Sequence, residues 1–177
     1  FFAVVMFNGV DDIALVVLAK DTFRAGDSAV GLLLGAVGLG LLAGYALLAR
    51  HGSRASMAVL LVLGFAVSSV GNLLTGLAWA VSAAFAMQTV RGAGIAAMDV
   101  ATNTLLQRLV PPELLGRVFG NLHGAIGVAA ALSYVGGGLL LDATSAPVTL
   151  VIAGAGGTVA TLVTAFALPA ALRRRAP

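Results

Sequence analysis

The sequence predicts an all-α integral membrane protein, a single bundle of six transmembrane helices over residues 1–177. Three observations predict it. Of the 177 residues, 60% are hydrophobic and only 10% are charged, whereas a soluble domain carries about 25% charged residues. The apolar residues fall in six runs, each close to the roughly 20 residues a bilayer crossing needs. The runs are continuous and lack the two-residue alternation of a membrane β-strand. In lipid, a run of that kind satisfies its backbone polar groups only as a helix.

The runs are 1–19, 28–49, 56–77, 80–106, 118–141 and 147–172. Lys20 ends the first. The connections are short and leave no room for a soluble domain. Trp79 lies at a helix end, where an indole anchors at the membrane interface. Arg50, Arg54, Arg108, Arg117, Arg173, Arg174 and Arg175 fall on one side, against Lys20 and Arg24 on the other. The positive-inside bias then places both ends in the cytoplasm. Asp21, Asp27 and Asp142 lie outside. The Arg173–Arg175 run also suits contact with anionic lipid. The net charge of +3 is explained by this topology and not by nucleic acid.

Several chemistries are excluded. There is no cysteine, and the two histidines, His51 and His123, are far apart in sequence, so no metal set is expected. No glycine-rich loop ending in Lys and Ser or Thr is present to hold ATP. No cofactor is expected, and the chain does not read as an enzyme.

The polar residues inside the spans carry the chemistry. The first span holds Asp11 and Asp12; the fourth holds Gln88, Arg91, Asp99 and Asn103. A charge at the centre of a membrane helix costs about 2.5–3.5 kcal/mol on insertion scales and marks a functional site by default. At about 100° per residue, Gln88, Arg91, Asp99, Asn103 and Gln107 share one broad face, expected to meet a cavity or a partner helix. Arg91 and Asp99 are about 12 Å apart along the axis, too far to pair, and Asp11 or Asp12 is the expected partner of Arg91. Adjacent residues diverge by about 100°, so only one of the two aspartates can face a cavity squarely. These residues suit proton coupling and substrate orientation; an ion pair locking two helices is the structural alternative. His123, near one end of the fifth span, and Asn72, in the third, read as structural.

The spans divide labour in a three-plus-three pattern. Charges occur in the first and fourth, glycines concentrate in the second and fifth, and small residues four apart let helices approach closely. Internal repeats of this kind build many secondary transporters.

At the loops the sequence resembles the C-terminal half, helices seven to twelve, of a major facilitator superfamily transporter. The carrying residues are LLQRLVPPELLGRVFG over 105–120, similar to the junction of the tenth and eleventh helices in the branch that exports macrolides and siderophores. GYALLARHGSR over 44–54 resembles the cytoplasmic loop between the eighth and ninth helices. QTVRGAG over 88–94 resembles a family helix motif with Arg and Gln exchanged. The resemblance implies a proton-coupled exporter of small amphipathic compounds in a bacterial inner membrane. It implies a conformational role for Arg50, Gly52, Arg54, Pro111, Gly116 and Arg117. It also implies an N-terminal half, absent here, against which the second and fifth spans pack. The partners are then that half, the lipid bilayer, the substrate and protons. Two other readings stand beside it: a membrane interaction module that transports nothing, and an intramembrane aspartyl enzyme with Asp11 facing Asp99.

Overall fold

The computed structural model describes residues 2–51 and 56–173, and every regular element among them is helical. The first span is broken into α1 (Phe2–Asn8) and α2 (Asp11–Val17), then continues as a π-helical turn, Leu18–Thr22. After it come α3 (Gly26–His51), α4 (Met57–Gly76), α5 (Val81–Leu109), α6 (Pro112–Ala143) and α7 (Ala146–Arg173). The order matches six spans in two sets of three.

Five of the six are long and apolar enough to cross a membrane; α5 is not among them. It has the length, at 29 residues, but Gln88, Arg91, Asp99 and Asn103 dilute its apolar run. Lipid would not accept such a helix alone, and the bundle meets the requirement by surrounding it. α5 packs along both α3 and α4, and α4 packs in turn on α7.

The helices outrun the apolar segments from which they were predicted. α6 begins at Pro112 and not near residue 118. Proline is favoured in a helix's first turn, where its missing N–H has no partner to lose, and Glu113 follows in that turn. The first span reaches Thr22 through the π turn, so Lys20 lies inside a helix instead of ending one. Lys20 pairs with Asp27 at 2.8 Å, tying this turn to the start of α3. Between them the chain reverses through Arg24 and Gly26, both with positive φ.

Glycine sets the helix spacing at two kinds of place. A Cβ on Gly40 of α3 would strike Thr89 O of α5, and one on Gly92 would strike Val37 O, so here the backbones touch. Gly154 of α7 meets Leu73 of α4 in the same way. In contrast, Gly31, Gly35 and Gly38 of α3, and Gly116, Gly120, Gly124 and Gly127 of α6, have no neighbour within 4 Å. The glycine-rich spans therefore carry faces that this chain leaves uncovered.

Candidate functional site

The break in the first span creates the site. The regular helix is interrupted by a turn at Gly9 and Val10, although Gly9 N–H still donates to Val5 O and Val10 O still accepts from Ala14 N–H. A Cβ on Gly9 would lie 2.9 Å from Ser133 Oγ, so this glycine lets α6 approach the break. Immediately after it, Asp11 and Asp12 open α2 and point to different places.

Asp11 turns inward and forms an ion pair with Arg91 of α5; both side chains are 6% exposed. Arg91 Nη1 donates to Gln88 Oε1 at 3.2 Å. Gln88 Nε2 donates to Thr75 Oγ1 at 3.1 Å and, at 3.5 Å, to Asn72 Oδ1. Asn72 Nδ2 donates to Asn8 Oδ1 at 2.9 Å, and Asn8 Nδ2 reaches Ser69 Oγ at 3.3 Å. This polar chain is buried throughout and links α1, α2, α4 and α5. Gly71 makes the room: a Cβ there would sit 2.8 Å from the Arg91 Cβ. An unpaired charge or amide at this depth would be costly, so the network acts as a lock on three spans. Asn72 is a structural member of it, as its position in an apolar span suggests.

Asp12 turns the other way. Exposed there, it lines an open cavity of about 820 Å³ along α2, α3 and α6. Val16, Leu34, Val37 and Leu41 contribute to an apolar lining in which, among the described residues, Asp12 and Tyr134 are the only polar side chains. Tyr134 Oη donates to Asp12 Oδ2 at 3.5 Å.

The single polar face expected on α5 is split between two environments. Gln88 and Arg91 belong to the buried lock. Asp99 and Asn103, farther along, line a separate pocket of about 140 Å³ with Thr102, Leu122, His123 and Ile126. Tyr45 of α3 donates to Asp99 Oδ2 at 3.0 Å. His123 Nδ1 lies 2.9 Å from Phe119 O; a carbonyl only accepts, so Nδ1 is the donor here. His123, which reads as structural in the sequence, thus shares a pocket with Asp99. Asp11 and Asp99 do not face each other, each having a different partner.

Two tyrosine–aspartate contacts result: Asp12 of the first span with Tyr134 of the fifth, and Asp99 of the fourth with Tyr45 of the second. A three-plus-three repeat exchanges first with fourth and second with fifth, and so relates the two contacts. Neither tyrosine stands out in the sequence, because tyrosine in an apolar run reads as packing.

Among the described residues, those expected in conformational loops lie at helix ends and line neither pocket. Arg50 is exposed in the last turn of α3, while Gly52 and Arg54 lie outside the described residues. Pro111 caps α6, and Gly116 and Arg117 are exposed in its first two turns. Among the described residues, no group of three or more His, Cys, Asp or Glu could hold a metal ion.

No curated protein and no solved structure matches the chain. A family profile, that of the Major Facilitator Superfamily, matches it over residues 1–177. With helices arranged as two sets of three and charges held at their centre, the chain belongs to the major facilitator superfamily of secondary transporters.

Proposed function

We propose that this chain is the C-terminal half of a proton-coupled transporter that exports small amphipathic organic compounds. The observation that carries the substrate class is the cavity on α2, α3 and α6, apolar except for Asp12 and Tyr134. Sites for organic ligands are mostly apolar with a few placed polar groups, and this wall has that form. Asp99, in its own polar pocket with His123, supplies a group able to hold and release a proton apart from the substrate. The junction sequence over 105–120 favours the macrolide and siderophore branch. The arginine distribution favours both ends in the cytoplasm, and the resemblance of the junction sequence favours a bacterial inner membrane.

The uncovered faces of α3 and α6 suit the other half of the transporter, closing the cavity from the opposite side. They would serve a membrane interaction module equally well, and transport decides between the two. In proteoliposomes holding the full-length protein, an imposed pH gradient should drive flux of a macrolide, and collapsing the gradient with a protonophore should stop it. Flux indifferent to the gradient would remove proton coupling; no flux at all would favour the interaction module.

A further inference from the structure

We propose that Asp99 of α5 and His123 of α6 form a reversible site for zinc, whose binding ties the two helices together and arrests transport. The binding of the ion stands on the pocket alone; its effect on transport rests on the proton-coupled reading above.

Both residues line the same pocket of about 140 Å³, with Thr102 and Asn103 beside them. A metal-ligating histidine donates its other ring N–H to a carbonyl or carboxylate, and a ligating carboxylate is itself hydrogen-bonded. Both conditions are met here. His123 Nδ1 donates to Phe119 O, which reserves Nε2 for an ion. Tyr45 donates to Asp99 Oδ2, which leaves Oδ1. One ligand is thus steadied by α6 itself and the other by α3. Imidazole nitrogen and carboxylate oxygen are both ordinary zinc ligands, at about 2.0–2.2 Å. Asn103 brings a side-chain oxygen, and water completes a tetrahedral shell. Magnesium takes oxygen ligands in a near-octahedral shell and keeps much of its own water, so it suits this pair poorly.

No third His, Cys, Asp or Glu joins the two among the described residues, so the ion is exchangeable and not a resident part of the fold. α5 packs along α3 and α4 and barely touches α6. Zinc between Asp99 and His123 therefore adds a tie that the packing lacks. It also occupies the carboxylate assigned to the proton.

Tag-free full-length protein in nanodiscs is titrated with Zn²⁺ by calorimetry. The unaltered protein should bind zinc, and excess Mg²⁺ should not displace it. His123→Gln and Asp99→Asn should each weaken that binding at least tenfold. Displacement by Mg²⁺, or unchanged zinc affinity in either variant, would overturn the assignment. A second measurement needs no variant: Zn²⁺ should protect His123 from diethyl pyrocarbonate, read by mass spectrometry, and absence of protection would also overturn it. In proteoliposomes, Zn²⁺ should stop gradient-driven macrolide flux, and His123→Gln should lift the block; flux indifferent to bound zinc would overturn the arrest. The two readings fail separately. Zinc that protects His123 in a protein with no gradient-driven flux would sink the transport reading and leave the metal site standing. Gradient-driven flux in a protein whose His123 zinc never protects would do the opposite.

Discussion

Arg91 of α5 is paired with Asp11 of α2 inside the bundle, and its other terminal nitrogen holds Gln88. Removing one partner of a buried pair strands the other charge and typically costs about 3–5 kcal/mol, whereas replacing both with apolar residues is often neutral. Arg91→Met and Asp11→Leu should each lower the thermal midpoint of the purified protein sharply. The double variant should recover most of the loss. A double variant as unstable as the sum of the singles would show that the two residues do not act as a pair.

Much of this arrangement is legible in the sequence. Six apolar runs give six spans, because lipid leaves the backbone no alternative. Asp11 as a candidate partner for Arg91 follows from an uncompensated charge in each of two spans. The helix break at Gly9 and Val10 is not legible, since both residues are common within membrane helices and only the approach of Ser133 shows why the chain opens there. The polar face of α5 reads as continuous because helical angles record direction around an axis but not which neighbour occupies it. Hence the division between the buried lock and the Asp99 pocket emerges only from the packing of α3, α4 and α6. Tyr45, Tyr134 and His123 are found by the same packing, and nothing in their spacing marks them.

Glycines with and without neighbours should behave differently. Gly92→Ala places a methyl against Val37 O and should destabilise the bundle, lowering its thermal midpoint. Gly31→Ala meets open space and should leave the midpoint within a degree or two. Similar losses in both would contradict the close approach of α3 and α5.

The uncovered glycine faces lead to a test of assembly. Gly35→Leu and Gly127→Leu should leave this half folded but reduce its co-purification with a separately expressed N-terminal half. Gly154→Leu should instead disrupt the half itself, because Leu73 already occupies that space. If Gly35→Leu and Gly127→Leu assemble like the unaltered chain, these faces are not the interface.

Topology can be read without transport. In intact cells, a cysteine in place of Ser145, at the α6–α7 turn, should react with a membrane-impermeant maleimide. One in place of Glu113, at the opposite end of α6, should react only after permeabilisation. The reverse pattern would invert the orientation and move the Asp99 pocket from the cytoplasmic half of the membrane to the outer half.

Proton coupling through Asp99 is the claim on which the functional account depends, and Asp99→Asn tests it most directly. The amide keeps an acceptor for Tyr45 but cannot gain and release a proton. Macrolide flux under an imposed pH gradient is measured in proteoliposomes of the full-length protein, alongside equilibrium binding of the same compound. Gradient-driven flux should fall at least tenfold, with binding within about twofold of the unaltered protein. Full gradient-driven flux in Asp99→Asn would contradict it.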